Sequence, residues 1–416
     1  MFKSKRFLLR HVVSSLSLLA WTASCHALSY QEAIDQAEIH ASELKARQNS
    51  LTAAQQRQIS AGELPDPKLV TGINNLPVQG EQAWSTGQSF LTMEVVGVRQ
   101  EMTNGEKREA ARHMAQANVS RADLELEVER LTIRRQTLLA WLKVYYAEQR
   151  YKVLDQLEAE NRLQSLASTA QLAAAQSTAE ESLQARSEAA TLADRKDELV
   201  RDIATARIEL SRWIGVAADQ PLTGGPPPQL EPMEHLHHTL DKHPDIAVFE
   251  AQKASAQAAV DLAEAAKRPD WGVELDYEHL GPPFGDMVNV LFTIDLPIFT
   301  RTRQNPQIAA QRQELEQVAE ERETMLRQHT MELETQLAEQ TSLSHQIERV
   351  DQEWLPLSQE KLSLATAAYR SGKGSLTAVL EARRSILGIK MKRIDLEERR
   401  SNAETVLRYL SEEVQP

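Results

Sequence analysis

The sequence predicts an α+β membrane protein: long helical hairpins forming an α-barrel, joined to four transmembrane β-strands per chain. Three observations predict it. Ala, Gln, Glu, Leu and Arg fill extended tracts, while charged residues make up 26% and aromatics only 5% of the 416 residues; that bias belongs to long helices. Short runs of apolar/polar alternation occur as a pair in each half. One helical turn occurs twice. "AYRSGKGSLTAVLEARRSIL" (Ala368 to Leu387) aligns with "QLAAAQSTAEESLQARSEAATL" (Gln171 to Leu192), with Leu380 on Leu183 and Ser375 on Thr178.

The first 27 residues read as an export signal. Lys3, Lys5, Arg6 and Arg10 precede a short apolar stretch, Val12 to Ala23, and "CHA" ends in a small residue suited to cleavage after Ala27. Cys25, the only cysteine, has two readings. It is discarded with the signal, or it is the acylated first residue of a lipoprotein, with Thr22 departing from the usual lipobox. A formal net charge of −13 argues against a nucleic-acid partner.

Residues 28–215 and 233–413 repeat one order of elements, separated by a Pro/Gly connector at 216–232. Each repeat opens with an Ala-rich helix ending near Pro-Asp, at Pro65-Asp66 and Pro269-Asp270. Two strand-like runs follow, then a very long helical tract, the turn, and a shorter helix. In "WGVELDYEH", Trp271, Val273, Leu275 and Tyr277 alternate with Gly272, Glu274, Asp276 and Glu278. In "VNVLFTIDL", Val288, Val290, Phe292, Ile294 and Leu296 share a face opposite Asn289, Thr293 and Asp295, with Leu291 as an exception. In the first half Leu91, Met93 and Val95 alternate with Thr92 and Glu94. Such runs fit transmembrane barrel strands, and also a half-buried soluble sheet; their pairing beside an export signal favours the barrel. Four strands cannot close in a bilayer, where an open edge leaves backbone groups unpaired. The chain is therefore expected to oligomerise, eight strands in a dimer or twelve in a trimer.

From Thr302 to Gly372, and from Asn104 to Ala175, the chain is helical over roughly 105 Å each. The shorter helices, 178–214 with 28–61 and 375–413 with 234–268, sum to one long helix per half. Each half thus supplies one continuous column and one stack of two, extending from the same end of the strands.

On these residues the sequence resembles the TolC-like outer-membrane efflux proteins. The turn carries Tyr369, Gly372, Ser375, Val379, Leu380 and Ala382 in family positions; "LSYQEAIDQA" resembles the start of the mature domain and "ARIELSRWIG" the end of its first repeat. In "WLPLSQEKLSLATAAYRSG", Pro356 lies sixteen residues before the turn glycine, a pattern similar to the heavy-metal branch, the partners of Czc- and Cus-type cation pumps. The resemblance implies a homotrimer with a twelve-stranded barrel in outer-membrane lipid and a periplasmic helical tube. It implies an exit duct working with a periplasmic adaptor and a resistance-nodulation-division (RND-type) inner-membrane pump, exporting metal cations. A duct for drugs or secreted peptides is the alternative within the family. A periplasmic helical-hairpin adaptor is an alternative of another class, which would carry a lipoyl-like domain and lack the paired strands.

Gly372 and Gly374 allow a tight reversal; the resemblance adds adaptor docking at Gly372, Lys373, Gly374 and Ser375. The first turn departs from the pattern at Ala175. By resemblance Tyr369 and Glu381 sit at a periplasmic gate, where three copies of Glu381 form an acidic ring; an ordinary surface glutamate is the plainer reading. Pro356 is expected to bend the long helix. Glu274, Asp276, Glu278 and Asp295 face the barrel lumen if the apolar faces meet lipid, as selective groups or as solvated walls. "EHLHHTLDKH" gathers His235, His237, His238 and His243. With no cysteine or ordered carboxylate beside it, this reads as a solvated helix start rather than a metal site. No cofactor is expected, and no nucleophile, phosphate loop or HExxH motif points to an enzyme.

Overall fold

A computed structural model describes residues 27–174, 178–229, 240–281 and 285–411. The export signal with Cys25, the first turn at Ala175, and His235, His237 and His238 lie outside the described residues.

The described residues form eight α-helices and four strands. They are α1 (Tyr30–His40), α2 (Ser42–Ser60), β1 (Lys68–Asn74), β2 (Met93–Met102), α3 (Gly105–Ala173), α4 (Ala179–Ile214), α5 (Pro244–Ala265), β3 (Trp271–His279), β4 (Met287–Ile294), α6 (Gln304–Arg349), α7 (Leu355–Arg370) and α8 (Leu376–Leu410). At 69 residues α3 alone is about 100 Å long. Its start is fixed by Asn104, whose side chain accepts the Lys107 N–H at 2.9 Å. Ser29 and Glu32 form a reciprocal capping box on α1, and Ser375 caps α8.

The helical columns depart from continuous helix in two places, one unmarked in the sequence and one beside Pro356. The first helix is broken at Ala41, whose ψ of 115° leaves the helical region and separates α1 from α2. The second long column is interrupted by a π-helical turn, Val350–Trp354, in which the Leu355 N–H reaches back to the Val350 carbonyl. It stands directly before Pro356, at the first turn of α7. A proline inside an α-helix removes one ladder bond and crowds the preceding turn; the wider turn accommodates both. The column passes Pro356 without ending. Ion pairs from Arg393 of α8 to Asp351, at 2.6 Å, hold the turn in place, and Lys392 lies 5.2 Å above the Trp354 ring.

The four strands form one antiparallel sheet in the order β1-β2-β3-β4, at one end of the helical body. Val96 pairs with Tyr277 and Val98 with Leu275 across β2 and β3, and Leu275 pairs with Val290 across β3 and β4. This register corrects the reading of β2: its outward apolar residues are Val96 and Val98, while Val95 lies on the other face, opposite Glu278. Both parities are apolar in "EVVGV", so periodicity could not choose between them.

α3 is the spine, with α1, α2, α4, α5 and α8 packed along it, while α6 runs beside α5 and α8. The largest core lies midway along α3, where fully buried Trp141, Ile133 and Leu142 meet Ala33 and Ala37 of α1 and Leu210 of α4. Trp141 donates its indole N–H to the Leu28 carbonyl at 3.2 Å and stacks on Tyr145 at 5.3 Å. The connector is more structured than its prolines suggested. Gly215–Asp219 forms a 3-10 turn, and Leu222 makes a parallel bridge with Leu28. No helix among the described residues is long and apolar enough to cross a membrane.

Candidate functional site

The sheet has two chemically distinct faces. On one, Leu69, Val96, Val98, Leu275, Tyr277, Val290, Phe292 and Ile294 are all exposed, Phe292 at 67%. An apolar surface of this extent is unusual on a soluble monomer. The central strands β2 and β3, of ten and nine residues, match the length a tilted strand needs to span a bilayer; the edge strands β1 and β4 are shorter, at seven and eight.

The opposite face is polar and closely packed. Glu274 and Asp276 are buried, at 6% and 5% exposure. Glu274 is ion-paired with Arg99 of β2, so the acidic face contains a countercharge that the sequence reading did not include. Arg99 follows Val95 and Gly97 in the inward register, and is legible once that register is known. A Cβ at Gly97 would collide with the Asp276 carboxylate and the Leu275 carbonyl; glycine there lets the strands approach around the acid. Asn289 reaches Asp276 at 3.4 Å. Glu278 is half-buried on the same face. Asp295 lies beyond the end of β4, is exposed, and bonds through its backbone N–H to the Asp270 carbonyl at 2.8 Å.

Asp270 joins sheet to helix. Its carboxylate accepts the backbone N–H of Asn104 at 2.8 Å and the Lys107 ammonium. Burial alone would raise its pKa, but the Lys107 and Asn104 donors outweigh it and hold the group below its ordinary value. Against the first turns of α3 Gly62 adopts φ +70°, and any Cβ there would run into the Arg108 carbonyl.

The described turn lies at the far end. Tyr369 is half-buried near the end of α7, and residues 371–375 are all exposed. Gly372 has φ +72°, and a Cβ at Gly374 would lie 2.9 Å from that of Ala368. The N–H groups of Lys373 and Gly374 both donate to the Ala368 carbonyl, at 2.9 and 3.0 Å, in the manner of a helix C-cap. Ser375 accepts the Ala378 N–H at 3.2 Å. Behind the exposed turn, buried Leu376, Val379 and Leu380 anchor it. Glu381 is exposed. α8 is tied to α4 by Thr377, which donates to Gln184 at 2.7 Å, and by Arg384 on Glu188.

His243 departs from the solvated start expected of it. It is fully buried and caps α5, its Nδ1 accepting the Asp245 N–H at 3.2 Å. Burial lowers its pKa, despite the Asp245 charge, so the ring is neutral. Asp245 is held below its ordinary value against the opposing effect of burial, by donors from His329 and Tyr409.

The model of the outer membrane efflux protein family matches residues 235–411. No curated protein sequence matches the chain. Among solved structures, the chain is similar to CusC, whose conformational changes in transmembrane channel formation have been described, at 17% identity, TM-score 0.80, and 92% of this chain on 91% of that one. It is similar to the outer membrane protein VceC of Vibrio cholerae at 18% identity, TM-score 0.77, covering 93% and 97%. It is also similar to a membrane protein of Pseudomonas aeruginosa at 17% identity, TM-score 0.79, covering 92% and 93%. Over nearly its whole length the chain has the fold of these membrane proteins, and residues 235–411 match the outer membrane efflux protein family.

Proposed function

We propose that the chain is the outer-membrane exit duct of a tripartite efflux system. Three copies close a twelve-stranded barrel in lipid, and their helical columns form a tube in the periplasm. One observation carries this reading: a four-stranded sheet, apolar outside and polar inside, ends in edge strands β1 and β4 at one end of columns about 100 Å long. A lone copy cannot rest in a bilayer with those edges unpaired; joining edge to edge around an axis removes them. An adaptor protein would need a lipoyl-like domain, and the described residues hold a single sheet of membrane type.

In this reading Glu274, Asp276, Glu278 and Asp295 line the lumen. Tyr369 and Glu381 sit at the periplasmic gate, and Gly372, Lys373, Gly374 and Ser375 dock the adaptor that links the duct to an RND-type pump. The cargo is a heavy-metal cation. The position of Pro356 and the acidic inner face support that choice; Arg99, which neutralises Glu274, favours instead a wall that tolerates drugs or peptides as well. The pump, not the duct, is the selective step.

Growth of a deletion strain and its complemented parent, across zinc, cobalt, cadmium, nickel, copper and silver beside drugs and detergents, tests this. Sensitivity confined to metals supports the cation cargo. Sensitivity to drugs alone removes that cargo and leaves the duct. Normal growth throughout, with no pores from purified protein in planar bilayers, removes the duct.

A further inference from the structure

A buried polar cluster lies where α5, α6 and α8 converge. His243 and Asp245 come from the start of α5, His329 from α6, and Tyr409 from the end of α8. His243 Nε2 lies 3.0 Å from the Tyr409 carbonyl. The Tyr409 hydroxyl donates to Asp245 Oδ2 at 2.7 Å. The same carboxylate oxygen is 3.3 Å from His329 Nε2 and 3.7 Å from His243 Nδ1. The three donor atoms lie within 4.8 Å of one another. His329 is 5% exposed and its Nδ1 has no hydrogen-bond partner.

We propose that His243 Nδ1, Asp245 Oδ2 and His329 Nε2 form a binding site for one divalent transition-metal ion in the wall of the helical body. This inference does not rest on the cargo proposed above. The geometry is close to what such an ion needs. Four-coordinate metal with bonds near 2.0–2.1 Å sets its ligand atoms roughly 3.3 Å apart, and two of the three separations here are 3.3 and 3.7 Å. The supporting contacts are also those of a metal site. A ligating histidine commonly donates its other N–H to a carbonyl, as His243 Nε2 does to Tyr409, leaving Nδ1 as a lone pair. Tyr409 orients the carboxylate in the same way. In the free chain His329 Nε2 donates to Asp245; on metal binding that proton moves to the unpartnered Nδ1, and Nε2 then presents a lone pair. Two imidazoles and one carboxylate suit zinc, cobalt, nickel or copper(II) rather than magnesium or calcium, and water completes the set.

Two features limit affinity. The ion displaces the 3.2 Å bond from the Asp245 N–H to His243 Nδ1, and the Arg135 guanidinium lies over the Tyr409 ring at 4.6 Å. The bound ion would join α5 to α6 in the second half, with α8 held to the same cluster through Tyr409. Its effect is therefore on the rigidity of that half.

The test uses the full chain, purified in detergent and stripped with chelator, titrated with cobalt(II) alone. The expected result is saturable visible absorption of four-coordinate cobalt at one ion per chain, displaced by zinc, with a metal-dependent rise in melting temperature. His329→Gln and, independently, Asp245→Asn are each expected to weaken binding at least tenfold. Asp245→Asn keeps the size of the side chain, so it carries the test if the first variant folds poorly. Absence of a saturable cobalt spectrum overturns the proposal. So does binding that survives both variants but is lost when His235, His237 and His238 are replaced together.

Discussion

Arg384 of α8 closes on Glu188 of α4 at 2.5 Å, and the glutamate side chain is only 7% exposed while the arginine is 56% exposed. The pair joins the two hairpins a few turns above the tips, beside Thr377 and Gln184. Removing Arg384 leaves a buried carboxylate with its main partner gone. Arg384→Ala is expected to cost about 1–3 kcal/mol, read as a lower melting temperature and faster proteolysis at the 371–375 turn. Glu188→Gln, which removes the charge itself, is expected to cost less. If the duct reading holds, Arg384→Ala also raises single-channel conductance in planar bilayers.

Glu404 gives a pH dependence of known sign. It is 5% exposed, and burial raises its pKa above the ordinary 4.5, only partly opposed by Arg400, whose Nε is 3.8 Å away. The folded state therefore favours the protonated acid. Its contribution is fully present below about pH 4.5 and is lost as pH rises through the folded value. Glu404→Gln is expected to raise stability at neutral pH and to flatten the unfolding profile above pH 4.5. An unchanged slope in denaturant titrations across pH would count against this account.

Asp270 titrates in the opposite sense. Its pKa is held below the ordinary 3.8, so its contribution is present above that value and is lost as pH falls through the folded one. Asp270→Ala removes the acceptor for the Asn104 N–H and the partner of Lys107. A loss of about 1–3 kcal/mol is expected, with earlier hydrogen exchange at the start of α3 and little change at the tip.

The two faces of the sheet should respond differently to charge. Phe292→Lys, on the exposed apolar face, is expected to destabilise barrel insertion by about 2–4 kcal/mol if it sits near the bilayer midplane. Asn289→Lys, three residues earlier in β4 and on the polar face, is expected to fold and insert. Heat-modifiable migration of the assembled protein from outer-membrane fractions distinguishes them. Equal tolerance of both would remove the lipid assignment.

Much of this architecture was legible in the sequence because its patterns are long or strict. The 69 residues of α3 carry their own cap at Asn104, and β3 and β4 alternate almost without fault. β1 was harder: "KLVTGIN" is short, with Gly72 and Thr71 diluting its pattern. The face of β2 depends on its partner, since Val95 and Val96 are equally apolar and only pairing with Tyr277 decides between them. The break at Ala41 uses neither proline nor glycine, so nothing in composition marks it. Clusters assembled across helices were also hidden. His329 reads as one more polar residue in α6, and only tertiary packing brings it to Asp245. The same is true of Arg384 and Glu188. His243 was visible, but its burial was not, because the run before it is rich in other histidines.

The π turn at Val350–Trp354 acts on everything beyond it. Such a turn holds one residue more than the α-turn it replaces, which advances the rest of the column by about 100° around its axis. The azimuth at which Tyr369 and the exposed turn meet their neighbours is therefore set by a residue count. Deleting one residue between 350 and 354 would leave the composition of α7 untouched, yet swing the tip through more than a quarter of a revolution. In this column length encodes direction, and an insertion or deletion there acts as a rotation rather than a displacement.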